Sequence, residues 1–105
     1  MRRLLLLLVL VLTACARAPS AHECDAMLDR YLDLTEDDDP ALAGMSDAPR
    51  AGVRQERITE RRASLAYLDA EKRCSRSTTR AELSCATQAP SANDWEACFD
   101  TPWAW

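Results

Sequence analysis

Cysteine supplies most of the chemistry that this sequence could perform. Four cysteines, Cys24, Cys74, Cys85 and Cys98, lie in the polar part of the chain, and a fifth, Cys15, directly follows a strongly apolar run. Five cysteines cannot all pair within one chain, so at least one of them has another role. The position of Cys15 makes it the candidate for that role.

The apolar run before Cys15 belongs to an export signal. Arg2 and Arg3 precede nine consecutive apolar residues, 4–12. A basic start followed by an apolar stretch of this length is typical of a secretory signal peptide. A transmembrane helix needs about 20 apolar residues, so the run is too short to span a bilayer. We therefore predict an exported protein that does not span a membrane.

Residues 12–15, LTAC, resemble the bacterial lipobox, in which an apolar residue and two small residues precede a cysteine that is lipidated and becomes the new N-terminus. The resemblance implies a signal peptide at 1–14, acyl chains on Cys15 and a short tether at 15–19. Two or more acyl chains hold a protein stably at a membrane. Ala16 occupies the position where aspartate is typical of inner-membrane retention, so the resemblance implies an outer-membrane location, facing the periplasm.

Ordinary signal cleavage is the alternative. Residues 14–16 and 16–18 both have the small-x-small pattern that signal peptidases prefer, although Pro19 directly follows the second site. Such cleavage would give a secreted or soluble periplasmic protein. In either case Cys15 does not take part in pairing.

The remaining four cysteines predict two disulfides, because an exported chain folds in an oxidising compartment. A metal site is the alternative. Zinc ligands usually come in pairs two to four residues apart, whereas these cysteines are separated by 50, 11 and 13 residues, with His22 as the single histidine. We predict no metal and no cofactor.

The charge distribution argues against nucleic acid as a partner. Without residues 1–14, eleven basic residues face seventeen acidic ones, a formal net charge of −6. Residues 15–49 are mostly acidic, residues 50–80 mostly basic and residues 81–105 acidic. This alternation predicts segments that complement one another within a single fold.

The spacing of apolar residues predicts an all-α fold of four helices, namely two longer helices and a short helical hairpin. Ser20 and Glu23 form a capping box at the start of the first helix, which we expect to end near Thr35. The acidic stretch 36–49 contains Pro40, Gly44 and Pro49 and predicts a surface connection without a bound ion. Residues 20–102 would form the helical domain.

The second long helix is expected from about residue 48 to residue 75, with Asp47 as its cap. Ile58, Leu65 and Leu68 form an apolar stripe beside a second stripe of alanines, Tyr67 and Cys74, so we expect the second half of this helix to be buried. The hairpin follows: Thr79 and Glu82 form a second capping box, and Asn93 is expected to cap the last helix. Antiparallel packing of the two long helices would bring Cys24 to Cys74. The hairpin would then place Cys85 opposite Cys98, which is one of three pairings that four cysteines permit.

This arrangement, with an early helical cysteine, an arginine-rich helix ending in cysteine and the segment TRAELSC…DWEAC, resembles small predicted bacterial lipoproteins of an uncharacterised, cysteine-containing all-helical type. The resemblance supplies no catalytic residues. One histidine, no phosphate-binding loop and no nucleophile elbow predict that the chain is not an enzyme.

The expected function is that of a lipid-anchored cell-envelope protein with a non-catalytic interaction or structural role. The alternative is a pilotin-like or chaperone-like adaptor that binds an outer-membrane secretion component, since such proteins are similar in size, anchoring and disulfide use. The tail 103–105 carries Trp103 and Trp105, which could dock a partner or fold back over the core. The basic half of the second helix could dock a partner or cover the acidic connection, and its candidate residues are Arg54, Arg57 and Arg61.

Overall fold

The computed structural model describes residues 17–104. In this part of the chain all regular structure is helical, and there are six helices. They are α1 (Ala21–Asp37), α2 (Pro40–Ala43), α3 (Asp47–Arg62), α4 (Leu65–Ser77), α5 (Arg80–Thr87) and α6 (Ala92–Ala97). The all-α prediction is confirmed. The expected signal peptide at 1–14, Cys15 and Trp105 lie outside the described residues.

Side-chain caps fix where the helices begin. The capping box of Ser20 and Glu23 is present at the start of α1, and that of Thr79 and Glu82 at the start of α5, as predicted. The other two expected caps are displaced. Ser46 rather than Asp47 precedes α3, and the hydroxyl of Ser91, two residues before Asn93, caps α6 by accepting from the Asp94 amide.

The predicted long second helix is two helices. The chain leaves the helical path at Ala63 and Ser64, where the Ser64 hydroxyl donates to the Arg61 carbonyl and accepts from the Tyr67 amide, so that it caps α4. Serine competes in this way with backbone hydrogen bonding inside a helix. The break changes the helical phase of the residues that follow it, and Leu65 is 79% exposed and Leu68 43% exposed, whereas we had expected both to be buried.

The acidic connection contains a short helix that the sequence did not predict. The Asp39 carboxylate accepts from the Ala41 amide at 2.8 Å, and Pro40 occupies the first turn of α2. This turn buries Leu42. Asp39 is thus a helix cap and not only a solvated charge, and its contact with the Ala41 amide is the main cause of its lowered pKa.

Helix α1 is the central element, and α3, α4, α5 and α6 all pack against it. Met27, Leu28 and Leu32 of α1 have no exposed surface and form the middle of the core. Trp95 of α6 is equally inaccessible to solvent. The core of this small domain is therefore a single helix face covered by four partners.

Two disulfides staple this arrangement, and both predicted pairs are confirmed. Cys24 near the start of α1 is bonded to Cys74 near the end of α4, with Cα atoms 5.8 Å apart. Cys85 of α5 is bonded to Cys98 after α6, with Cα atoms 5.7 Å apart. Asp29, later in α1, contacts Tyr67, earlier in α4, so the two helices run antiparallel, which is the geometry on which the pairing was predicted.

Candidate functional site

An aromatic cluster closes the core beside α6. The Trp95 ring lies 4.6 Å from Tyr31 and 4.8 Å from Phe99, measured between ring centroids. The indole N–H of Trp95 donates to the Met27 carbonyl at 3.0 Å, so the buried polar atom of this side chain has a partner. The cluster thus ties α6 to α1 by both apolar contact and a hydrogen bond.

Trp103, one of the two candidate docking tryptophans, folds back onto this cluster. Its ring makes edge contacts with Trp95 at 5.6 Å and with Phe99 at 5.3 Å, and the side chain is half-buried. The Arg73 guanidinium lies 4.0 Å from the Trp103 ring centroid and also donates to the carbonyls of Thr101 and Pro102 at 2.8 Å. The described part of the tail is therefore tethered to the domain.

The three candidate docking arginines of α3 lie over the acidic end of α1 and the connection after it. Their guanidinium groups pair with carboxylates of this segment. Glu36 at the centre of the network is only 6% exposed. The pairs are Arg54 with Asp33 and Asp37, both at 3.0 Å, Arg57 with Asp39 and with Glu36 at 3.6 Å, and Arg61 with Glu36 at 3.4 Å.

A second group of charges lines the interface of α1 with α4. The Tyr67 hydroxyl donates to the Asp29 carboxylate at 2.9 Å, and burial together with this bond raises the pKa of Tyr67. Burial and the neighbouring Asp25 carboxylate raise the pKa of Glu71. Arg62 lies 3.3 Å from Asp29 and balances part of this negative charge. These contacts tie α1 to α4.

The groups that could perform catalysis or bind a metal are dispersed. His22 is exposed near the start of α1, and its neighbour Glu23 is held by the Ser20 cap and by Arg80 at 2.6 Å. Hydrogen bonding to the Ser20 backbone is the main cause that lowers the pKa of Glu23. Among residues 17–104, no three histidine, cysteine, aspartate or glutamate side chains converge in a way that could hold a metal ion.

A basic groove, defined here by Arg17, Arg76 and Arg80, lies at the end of the domain where the chain enters it. Its volume is about 340 Å³, and residues 77–79 complete its wall. Arg17 and Arg76 are exposed, and Arg80 is half-buried against Glu23. Sequence reasoning missed this groove because Arg17 is far in sequence from the segment 76–80 that carries the other two arginines, although Arg17 is placed only two residues after Cys15.

An apolar surface lies along the outer side of α4. The exposed Leu65 and Leu68 are next in sequence to Ala66 and Asp69, which line a groove of about 560 Å³ together with Trp103. Leu65 and Leu68 lie one helical turn apart and are the exposed large hydrophobic side chains of the part of the chain that the structure describes. Sequence reasoning missed this surface because it assigned both leucines to the core.

The described residues thus form a disulfide-stapled, all-helical domain with a basic groove at one end and an ion-paired acidic segment at the other. No protein-family model matches the chain, and no curated protein or solved structure shows significant similarity to it. Within residues 17–104, none of the helices has the length and apolar character needed to cross a bilayer.

Proposed function

We propose that the protein is a lipid-anchored component of a bacterial cell envelope, held by acyl chains on Cys15, and that its helical domain has a non-catalytic interaction or structural role. The observation that carries the proposal is the use of the cysteines. All four cysteines of the domain are consumed in two disulfides, which leaves Cys15 as the odd one. It stands directly after the apolar leader, in the LTAC sequence that resembles a lipobox.

The disulfides also support an exported location. Bonds of this kind persist in oxidising compartments such as the bacterial periplasm. The buried Cys24–Cys74 bridge links the start of α1 to the end of α4, so the domain depends on oxidation for its stability. An outer-membrane anchor facing the periplasm satisfies this requirement, and Ala16 favours it over inner-membrane retention.

The absence of a catalytic role is supported by the placement of the reactive groups. The cysteines that could act as nucleophiles are bonded to one another, and His22 is exposed next to a carboxylate that is already engaged. A cysteine must be free, and activated by a nearby base or a lowered pKa, to act as a nucleophile. The described residues offer contact surfaces instead, and these are the features that an interaction or structural module requires.

Mass spectrometry of the mature N-terminus tests the anchor most directly. We expect the first residue to be Cys15 with acyl chains, and Cys15→Ala to move the protein from the membrane to the soluble fraction. The double variant Cys85→Ala/Cys98→Ala is the matched control, because it also removes cysteines but should remain membrane-bound. Recovery of an unmodified N-terminus at Arg17 or beyond would contradict the proposal. Ala16→Asp should shift the protein to the inner membrane.

A second candidate function is an adaptor, similar in role to pilotins or secretion chaperones, that binds an outer-membrane secretion component. The exposed Leu65 and Leu68 favour it, because an aliphatic surface of this kind suits a protein partner. A photo-cross-linker at Leu65 should capture one envelope protein in stoichiometric yield, and the same probe at the exposed Gln55 should not. Equal capture from both positions would count against the adaptor.

A further inference from the structure

The basic groove is held close to the proposed lipid anchor by the start of the domain itself. Pro19 is buried and Ser20 caps α1, so the chain is fixed to the fold from this point onward. Arg17 is two residues after Cys15, and each extended residue spans at most about 3.6 Å. The Cα atom of Arg17 therefore cannot lie more than about 7 Å from that of Cys15.

An acylated Cys15 sits at the membrane surface, and so the groove must lie there too. This limit on the backbone separation is comparable to the Debye length at physiological salt, which is about 8 Å. Charges of the groove and of the lipid headgroups would therefore be only partly screened from one another. The side chains of Arg17 and Arg76 can also reach the headgroups directly, because both are exposed.

The sign of the charge in the groove is opposite to that of the whole domain. Three guanidinium groups line it, and Glu23 is the carboxylate beside it, 2.6 Å from Arg80 and 4.0 Å from Arg17. The mature chain as a whole has an excess of acidic residues, and Asp33, Glu36 and Asp37, which pair with arginines of α3, lie toward the opposite end of α1. A negatively charged surface would thus attract this end and repel the other.

We infer that the groove of Arg17, Arg76 and Arg80 binds the phosphate of anionic phospholipids in the membrane that holds the acyl chains. Guanidinium groups bind phosphate oxygens through paired N–H donors, and they retain their charge at any physiological pH. The contact would fix the orientation of the domain. Helix α1 would lead away from the bilayer, and the end of α1 that pairs with arginines of α3 would lie farthest from it. The inference rests on the proposed acylation of Cys15 for the nearness of the membrane.

Vesicle binding by the unacylated chain tests the groove separately from the anchor. The mature chain from residue 15 with Cys15→Ser contains the whole core and both disulfides, all of which lie within residues 17–104. We expect it to sediment with vesicles of equal parts phosphatidylglycerol and phosphatidylcholine, but not with phosphatidylcholine alone. High salt should abolish the binding.

Charge variants locate the binding surface. Near an anionic membrane one arginine contributes about fivefold in partition, so Arg76→Ala should reduce binding about fivefold and Arg17→Ala/Arg76→Ala roughly 25-fold. Arg50→Ala is the control, because it removes the same charge at the start of α3 and should leave binding unchanged; since Arg50 donates to the Met45 carbonyl, its fold is checked in the same way. Both groove arginines are exposed, and circular dichroism and thiol titration should show an intact, oxidised fold.

Three results would overturn the inference: no preference for anionic vesicles, equal losses in Arg50→Ala and Arg76→Ala, or displacement by inorganic phosphate beyond that caused by chloride at equal ionic strength. The last result would assign the groove to a small soluble phosphate compound. Because the assay uses no acyl group, vesicle binding with an unmodified natural N-terminus would refute the anchor alone. An acylated N-terminus without vesicle binding would refute the groove alone.

Discussion

Removal of the two disulfides one at a time should reveal very unequal contributions to stability. In the loop-entropy treatment, a bridge stabilises the fold by restricting the unfolded chain, and the effect grows with the number of residues enclosed. The Cys24–Cys74 bridge encloses a separation of 50 residues, which corresponds to about 4 kcal/mol. The Cys85–Cys98 bridge encloses 13, which corresponds to about 3 kcal/mol.

Burial widens this difference. Cys24 and Cys74 are inaccessible to solvent, so replacing both by alanine also leaves a small cavity, at a cost of about 1 kcal/mol. Cys85 is exposed and Cys98 half-buried, so the second pair adds little of this kind. The two loops do not overlap in sequence, and the losses should therefore add in the variant that lacks both bridges.

Urea unfolding followed by circular dichroism would measure both effects. We expect Cys24→Ala/Cys74→Ala to lose about 5 kcal/mol and Cys85→Ala/Cys98→Ala about 3 kcal/mol, of a total that for domains is roughly 5 to 15 kcal/mol. If the first variant does not fold, the order in which the two disulfides of the natural protein are reduced still tests the difference between them. Dithiothreitol should open the exposed Cys85–Cys98 bridge first. Equal losses, or earlier reduction of the buried bridge, would refute the reasoning from loop length and burial.

Three further changes should alter stability in defined directions. Burial and the Asp25 carboxylate raise the pKa of Glu71, so stability falls as the pH rises through the interval between the ordinary and the raised value. Calorimetry should therefore show a higher Tm for Glu71→Gln at neutral pH, by no more than a few degrees for a half-exposed group, and no gain at a pH below the ordinary value. Trp103→Ala should lower the free energy of unfolding by about 1 to 3 kcal/mol in urea titrations, because the contact with Phe99 is lost. If the variant instead kept its thermal midpoint and lost an envelope partner, the tail would be a docking element. Ser20→Ala should cost about 1 kcal/mol by removal of the α1 cap, whereas Ser20→Asp should retain most of that stability in the same titration.

The parts of the fold that the sequence predicted correctly depend on short-range patterns. The Ser20 and Thr79 capping boxes need only a hydroxyl and a glutamate three residues apart, and both are present. The disulfide pairing required one further step, the antiparallel packing of α1 against α4. That step holds because two amphipathic helices of similar length, joined by a connection, bury their apolar faces most completely side by side.

The parts that the sequence did not predict depend on competition between local alternatives or on distant segments. At Ser64 a hydroxyl that bonds locally ends α3, although the surrounding residues are good helix formers, and the resulting turn exposes Leu65. The basic groove combines Arg17 with Arg76, which are far apart in sequence and meet only because the Cys24–Cys74 bridge joins the start of α1 to the end of α4. No pattern in the sequence predicts directly that these two arginines lie in one groove.

Two groups of arginines in this protein therefore differ in what they contact, and the number of arginines in the sequence does not reveal the difference. Arg57 and Arg61 of α3 both lie beside Glu36, a carboxylate that is almost fully buried, so removal of either guanidinium group would leave its charge less well balanced. A partner that drew these arginines away would have to compensate for the exposed or unbalanced glutamate. Neither Arg17 nor Arg76 balances a buried carboxylate. Glu23, which lies 4.0 Å from Arg17, is only half-buried and is already held by Ser20 and Arg80. The basic surface that can bind an external anion at low cost is thus the one nearest Cys15, and the arginine-rich half of α3 serves the fold.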